Sequence, residues 1–239
     1  MRTDNGAVRP HNEDHVSFVT PQPGDPMEAR GSLMLVADGM GGHAAGEVAS
    51  EIAVETVRRV YYELTGPMPH VLGSAFLAAH RAIADWAKNN PECKGMGTTC
   101  TAVAICDGDA WLAHVGDSRA YLLRDGAMTQ LSEDQTLVAQ MVRDGQLSPE
   151  EARNSPVSNV ILQALGPNAE VVPVVWSEPL KLAADDVVVL CTDGLTGVVP
   201  DRIIAQHAGT LPPDEACEAL IHAAHAGGAP DNVSVGVFR

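Results

Sequence analysis

The spacing of apolar positions changes several times along the chain, and each change predicts a different element. A continuous apolar run at 33–36 predicts a buried strand, whereas alternation across 97–131 predicts consecutive strands. Between these regions, apolar residues recur at helical spacing over 47–64 and again over 72–87. The first half of the chain therefore predicts two neighbouring helices between groups of strands.

Turn and cap residues extend this pattern to the rest of the chain. Asp107-Gly108 and Asp125-Gly126 predict hairpins, and Ser148 before Pro149 predicts a capped helix start. The other predicted elements are strands at 15–20, 171–179, 186–190 and 233–238, and helices at 135–144, 201–207 and 214–226. Strands come in hairpins and helices in pairs, without strand–helix alternation. This order predicts an α+β fold in which helix pairs cover antiparallel sheets.

The composition is that of a water-soluble domain. The chain has 239 residues, of which 45% are hydrophobic, and this is enough for one large core, so we expect a single domain over 1–239. No apolar run reaches the ~18 to 20 residues that cross a bilayer. The first residues lack the apolar segment of a signal peptide, and the five cysteines lack metal or redox spacing. These features predict a cytoplasmic protein without a membrane partner.

The net charge of −16 argues against a nucleic-acid partner, because binding to phosphates needs clustered Lys and Arg and the sequence has no such cluster. Acidic residues instead recur beside apolar strands. Asp38 and Asp193 each follow an apolar run, and Asp231 stands just before the last one. The full set of acidic candidates is Glu13, Asp14, Asp38, Asp117, Asp193 and Asp231.

Each of these acids alone is more often a turn former, but together they suggest a metal site. Ligation by oxygen alone suits Mg²⁺ or Mn²⁺ better than zinc. Gly39-Met40-Gly41 also has the spacing of a dinucleotide-binding turn, although the charge of Asp38 and the second helix oppose that interpretation. Cys-x5-Arg, covalent-aspartate and Walker A patterns are absent. His43 is either a surface residue or a proton donor beside Asp38.

Six motifs occur in a fixed order: VRPHNED, VADGMGGHAAGEVAS, GTT, VGDSRAY, CTDGLTGVV and PDNVSVGVF. This series resembles the metal-dependent protein serine/threonine phosphatases (the PPM or type 2C family) in their compact bacterial form. The resemblance covers essentially the whole chain. It implies a four-layer α-β-β-α sandwich of two antiparallel sheets, each covered by a helix pair, with a small flap at about 141–166 near the active site.

The resemblance also implies a set of metal ligands for two or three Mn²⁺ or Mg²⁺ ions. Asp38 would bridge two ions, and the Gly39 carbonyl would bind one of them. Asp193 and Asp231 would bind the other ion. Asp117, together with Asp193, would form a weaker third site.

Further residues would surround these ligands. Glu13 and Asp14 would hold metal-bound waters, and Asn232 would lie in the same surrounding layer. Arg9 would hold the substrate phosphate, a task that suits the fork of a guanidinium group. Many eukaryotic members carry His where Met40 stands, so His43 or solvent would protonate the leaving group.

The resemblance implies hydrolysis of phosphoserine and phosphothreonine in proteins by a metal-bridging hydroxide, without a covalent intermediate. The expected partners are phosphorylated proteins, including a cognate Ser/Thr kinase and its substrates, and the chain is expected to be a monomer. One alternative is a catalytically weak phosphoprotein-binding regulator on the same fold, and another is a nucleotide-binding regulator. The flap departs from the family at Ser155-Pro156 and Leu162-Gln163, and Gln135 replaces a common His, so substrate preference stays open.

Overall fold

Two antiparallel sheets form the centre of the molecule in a computed structural model that describes residues 1–41, 45–167 and 170–239. The strands are β1 (Arg2–Asp4), β2 (Asp14–Val19), β3 (Ser32–Met40), β4 (Gly97–Thr98), β5 (Cys100–Cys106), β6 (Asp109–Val115), β7 (Arg119–Arg124), β8 (Ala127–Gln130), β9 (Val174–Val175), β10 (Leu180–Lys181), β11 (Val187–Cys191) and β12 (Val233–Phe238). One sheet has the order β1-β12-β11-β7-β8. The other has the order β10-β6-β5-β3-β2, with β4 paired to β3 and β9 to β6.

The described part of the chain forms seven α-helices. They are α1 (Ala45–Glu63), α2 (Met68–Asn89), α3 (Leu137–Arg143), α4 (Pro149–Arg153), α5 (Asp193–Thr196), α6 (Asp201–Thr210) and α7 (Pro213–Ala226), with short 3-10 turns at Glu28–Arg30 and Pro91–Cys93. Helices α1 and α2 pack on the sheet that contains β3, and α6 and α7 pack on the sheet that contains β11.

The strand β3 shows how the layers are joined, because alternate side chains of a strand point to opposite faces. Leu33 and Leu35 pack into the core beneath α1 and α2. Met34 and Val36 pack instead against the other sheet, in a core shared with Leu190. The strand is buried on both faces, which explains its continuous apolar run.

The sheet containing β11 repeats this arrangement. Leu190 contributes to the core between the sheets, whereas Val189 and Cys191 pack with Ile204 and Leu220 under α6 and α7. Three buried layers of side chains therefore separate four layers of secondary structure. The predicted α+β fold and its four-layer α-β-β-α sandwich are confirmed.

Three sequence predictions need correction. The strand predicted at 171–179 is paired only at Val174–Val175, because Pro173 and Pro179 have no N–H group to donate to a neighbouring strand. The helix predicted to begin at Gln135 begins at Leu137, after the N-cap residue Thr136. The short elements β1 and α5 were not predicted from apolar spacing.

Candidate metal centre

The pairing of β2 with β3 places two carboxylates opposite each other at the end of the sheet, because Asp14 is the register partner of Asp38. The backbone of Asp38 is held by the neighbouring threonines. Its N–H donates to Thr99 Oγ1 at 3.0 Å, and its carbonyl accepts from Thr99 N at 2.9 Å and Thr98 Oγ1 at 2.8 Å. These bonds fix the position from which the Asp38 side chain leaves the strand.

The other sheet brings Asp193 to the same place. It is the first residue of α5, directly after β11, and its carboxyl group shares a hydrogen bond with that of Asp38. The next residue must be glycine, because a Cβ at Gly194 would lie 1.8 Å from the backbone carbonyl oxygen of Asn232. This close approach packs the start of α5 against the residues that lead into β12.

Asp14 is buried, with only 5% of the residue exposed, and one of its two carboxylate oxygens lacks a hydrogen-bond partner within the described residues. Its Oδ2 accepts hydrogen bonds from Thr192 Oγ1 at 2.9 Å and Ser234 Oγ at 2.7 Å. Its Oδ1 is buried and has no hydrogen-bond partner in the described part of the chain. Burial raises the pKa of Asp14 to about 7, and the charges of Asp193 and Asp231 act in the same direction.

Asp117 shows the same combination of burial and an unsatisfied oxygen. It lies in the turn between β6 and β7, is 8% exposed, and its Oδ1 has no partner among residues 1–41, 45–167 and 170–239. Burial raises the pKa of Asp117 to about 7. The negative charges of Asp193 and Asp134 also raise it, whereas the positive charge of Arg119 lowers it. Two buried oxygens in one region are therefore available to a cation or to water that binds one.

The pKa shifts of Asp38 and Asp193 indicate that the carboxylates are close enough to interact electrostatically. Burial raises the pKa of Asp38 well above its ordinary value, and the next contributions come from the charges of Asp14 and Asp193, with Asp117 adding to them. Burial also raises the pKa of Asp193, although its hydrogen bond with Asp38 opposes this. Such clustered, desolvated carboxylates repel one another unless a proton or cation neutralises them.

The turn that carries Asp117 is held from outside by residues 132–136, which lead into the predicted flap. Gly116 N donates to Gln135 Oε1 at 2.8 Å, and Gln135 N donates to the Gly116 carbonyl at 2.8 Å. Leu162 N, on the returning side of the flap, donates to the Gln135 carbonyl at 2.7 Å. Gln135 thus connects the Asp117 turn with the flap segment.

Arg9 and Glu13 lie on the more exposed side of the cluster. Arg9 Nη2 donates to Asp231 Oδ2 at 2.7 Å, with about half of the arginine side chain exposed. Burial raises the pKa of Glu13, the positive charge of Arg9 lowers it, and the N–H of Gly46 at the start of α1 donates to its carboxylate. The segment that carries both residues thus follows the rim of the site.

Asn232 has a structural role that the sequence did not predict. Its Oδ1 accepts from Glu13 N at 2.8 Å, and its Nδ2 donates to the carbonyls of Asn5 at 2.9 Å and His11 at 2.8 Å. The side chain is buried and fixes the N-terminal segment beside β12. The motifs CTD and DNVS likewise supply Thr192 and Ser234, whose hydroxyl groups hold Asp14.

The carboxylates of this region have the chemistry that a hard divalent cation needs, although only one or two of these side chains would bind each ion. Within the described ranges, no three His, Cys, Asp or Glu side chains form a metal-binding group. Mg²⁺ commonly binds one or two carboxylates and keeps several waters, and oxygen donors also suit Mn²⁺. A backbone carbonyl such as that of Gly39, which pairs with Thr98 across β3 and β4, would add a further oxygen. The unpartnered oxygens of Asp14 and Asp117 are consistent with this kind of site.

The structure thus brings most of the predicted site residues into one region where the two sheets end. Asp14, Asp38 and Asp117 lie together with Asp193, and Asp231 is oriented towards Arg9. His43 lies outside the described residues. Which of these residues bind metal, water or phosphate stays a prediction.

Comparison with known proteins identifies the family of this chain. The family model described as "Protein phosphatase 2C" matches residues 25–212. The chain belongs to the protein phosphatase 2C family. The resemblance found in the ordered sequence motifs is therefore confirmed.

Two curated relatives of this family are similar over nearly the whole chain. The serine/threonine protein phosphatase PstP of Mycobacterium tuberculosis is 39% identical over 98% of this chain, which spans only 43% of the length of that relative. The serine/threonine phosphatase stp of Listeria innocua is 36% identical over 98% of this chain and 92% of its own length.

A solved structure of the family carries metal. The catalytic domain of PstP in complex with two manganese ions superimposes with a TM-score of 0.85, at 38% identity, covering 99% of this chain and 94% of that one. Among the described helices of the present family member, none is long and apolar enough to cross a membrane.

Proposed function

We propose that this chain is a metal-dependent protein phosphatase that hydrolyses phosphoserine and phosphothreonine in proteins. The observation that carries the proposal is the group of carboxylates around Asp38, of which Asp14 and Asp117 are buried and each keep one oxygen without a hydrogen-bond partner within the described ranges. A protein does not bury such charges without compensation, and divalent cations provide it. The family and its manganese-bound member support the same assignment.

We assign two or three Mn²⁺ or Mg²⁺ ions to this centre, held by Asp38, Asp193 and Asp231, with Asp117 at a weaker site. The chemistry that such ions supply when bound is activation of water near neutral pH and neutralisation of phosphoryl charge. Asp14 and Glu13 would orient water through their carboxylate oxygens. Asn232 would hold the segment that carries Glu13 in place.

Arg9 is the proposed phosphate-binding residue. Its guanidinium group is half exposed, and its Nη2 is already positioned by Asp231 at 2.7 Å. The remaining N–H donors of the fork can bind the phosphoryl oxygens of a substrate. Asp231 would therefore orient Arg9 and also serve as a metal ligand.

A Ser/Thr kinase must supply the substrate, because phosphoserine and phosphothreonine arise only from transfer of a phosphoryl group to those hydroxyls. We therefore propose phosphorylated proteins, including such a kinase, as partners, and a monomeric protein of the cytoplasm as the acting form. Size-exclusion chromatography with light scattering tests the monomer, and fractionation of cells that produce the protein tests the location.

Phosphate release from a phosphothreonine peptide and from p-nitrophenyl phosphate tests the function. We expect turnover with Mn²⁺ or Mg²⁺ and none in EDTA, because activation of water and neutralisation of phosphoryl charge both depend on bound cations. Metal binding without turnover on either substrate would instead favour the phosphoprotein-binding regulator. Turnover that is unchanged in EDTA would contradict the metal assignment.

A further inference from the structure

A cleft lies on the outer side of α2, away from the carboxylate cluster. Its walls are α2, the turn from Pro91 to Met96, and the segments 166–167 and 170–172, and its volume is about 970 Å³. This volume lies within the range of natural ligand-binding sites. We call it the α2 cleft.

The α2 cleft concentrates positive charge in an acidic chain. Three cations line it, Arg81, Lys88 and Lys94, and two of the three lysines of the chain are therefore in one place. Lys88 pairs with Asp85 at 2.8 Å, and Glu170 also lies in the lining.

In the described part of the chain, two of these three cations form no ion pair, although Asp85 and Glu170 also line the cleft. Within the described residues, neither Arg81 nor Lys94 has a carboxylate partner, although Arg9, Arg119 and Arg124 each have one. In a chain with 31 acidic residues and a net charge of −16, such cations are available to an incoming anionic group.

The α2 cleft also offers apolar surface. Leu77 is 38% exposed and Val172 is 73% exposed, whereas Val171 and Met96 beside them are buried. An occupant that covers Leu77 and Val172 gains hydrophobic free energy, because it removes their apolar surface from water. The cleft therefore suits a ligand with both acidic and apolar side chains.

The wall of the cleft is connected to the carboxylate cluster through one short strand. Leu165, next to the lining residue Gly166, exchanges two backbone hydrogen bonds with Thr98 at 3.1 and 2.9 Å. Thr98 Oγ1 in turn donates to the Asp38 carbonyl at 2.8 Å. The wall of the α2 cleft is therefore hydrogen-bonded, through Leu165, to the strand β4 that supports Asp38.

We propose that the α2 cleft docks an acidic segment of the protein substrate that also carries an apolar side chain, at a distance in sequence from the phosphorylated residue. The inference rests on the proposed phosphatase function. Charge complementarity selects the occupant, because the acidic surface elsewhere repels such a segment and Arg81 with Lys94 attracts it. An aliphatic side chain in the segment covers Leu77 and Val172.

Binding is tested without turnover by fluorescence anisotropy, using the Mn²⁺-loaded protein and a labelled, unphosphorylated short peptide in which Glu and Leu alternate. We expect saturable binding that weakens as salt is raised. Replacing Glu by Gln, or Leu by Ser, in the peptide should each weaken it. The double variant Arg81→Glu/Lys94→Glu should lose binding by at least about tenfold, since two attractive contacts become repulsive.

The control for net charge is Lys181→Glu/Arg202→Glu, which makes the same change at two exposed positions outside the cleft and breaks one surface ion pair, between Lys181 and Asp109. This control should bind the peptide nearly as the parent protein does. Joining the acidic segment to a phosphothreonine peptide should lower its KM, and only the cleft variant should lose that gain.

The outcomes separate the two proposals. Absence of peptide binding, or equal losses in the cleft and control variants, overturns the docking site even if p-nitrophenyl phosphate is hydrolysed normally. Absence of p-nitrophenyl phosphate hydrolysis by the Mn²⁺-loaded parent overturns the phosphatase function instead. Specific peptide binding with an unchanged KM for the joined substrate overturns the assignment of the occupant as a substrate segment.

Discussion

At the scale of single residues, Asp38 combines burial with the charges of Asp14, Asp193 and Asp117, all of which raise its pKa. Its carboxylate therefore opposes folding when it is ionised and no cation is present. In the proposed function, the same carboxylate would hold the cations on which activity depends. Removing this charge should therefore lower the phosphatase activity and raise the stability of the metal-free protein.

The substitution Asp38→Asn tests this opposition. We expect phosphate release from p-nitrophenyl phosphate to fall at least about a hundredfold, the size of effect seen when one preorganised electrostatic group is lost. The Tm measured in EDTA at pH 8 should rise, because the neutral amide ends the repulsion among the carboxylates. Asp185→Asn, at an exposed position, should alter neither quantity. A lower Tm in EDTA for Asp38→Asn would contradict the electrostatic account.

The residues that hold the site were harder to predict than the acids themselves. Asp38 and Asp193 follow apolar runs, so local sequence indicated that each ends a strand. Asn232, Thr192 and Ser234 act through hydrogen bonds to residues more than 170 positions away or across a strand pair. No local spacing encodes such partners, so the positions of the acids beside apolar strands suggested a shared metal site without indicating which residues hold it.

At the scale of elements, Gln135 joins the Asp117 turn to the flap segment through its side chain and its backbone. Oε1 accepts from Gly116 N, and the carbonyl accepts from Leu162 N. The backbone bonds do not involve the Gln135 side chain, so the side-chain bond can be removed separately.

The substitution Gln135→Met keeps the length of the side chain and removes Oε1. Gly116 N then lacks its acceptor, which should lower the free energy of unfolding by about 1 to 3 kcal/mol. Thermal unfolding measures this, and hydrogen exchange should speed up at Gly116 first. The control is Gln206→Met, at an exposed position of α6. The Gln206 side chain makes no hydrogen bond within the described structure. Equal Tm values for the two variants would show that the Oε1 bond contributes nothing.

Elements with strong local signals were predicted well. The turns Asp107-Gly108 and Asp125-Gly126 lie between paired strands, and Ser148 forms a capping box with Glu151. In contrast, β1 is polar and exists because it pairs with β12 from the other end of the chain. Helix α5 has only four residues, too few for a helical period to be recognised.

At the scale of the whole molecule, the carboxylates make the stability of the metal-free protein depend on pH. Asp14 and Asp117 have folded-state pKa values of about 7, above the value of about 3.9 for an unfolded aspartate. Their contribution to stability is therefore fully present below about pH 4 and is lost as pH rises through 7.

We therefore expect the Tm in EDTA to fall between pH 5 and pH 8. Mn²⁺ should make this fall smaller, because it binds the folded protein and favours the ionised carboxylates. Differential scanning calorimetry across this range measures both effects. The double variant Asp14→Asn/Asp117→Asn should have a flatter pH dependence in EDTA. A Tm that rises from pH 5 to pH 8 without metal would mean that other groups control the stability.

The pairing of β1 with β12 has a consequence for biosynthesis. Asn232 holds the residues before Glu13, Ser234 binds Asp14, and Asp231 orients Arg9. A ribosome-bound nascent chain has already exposed Arg9 and Asp14, but it cannot place them until residues 231–238 leave the exit tunnel. The N-terminal side of the proposed site is therefore assembled only after residues 231–238 have been synthesised, and a polypeptide that stops before them cannot hold Arg9 and Asp14 in this arrangement.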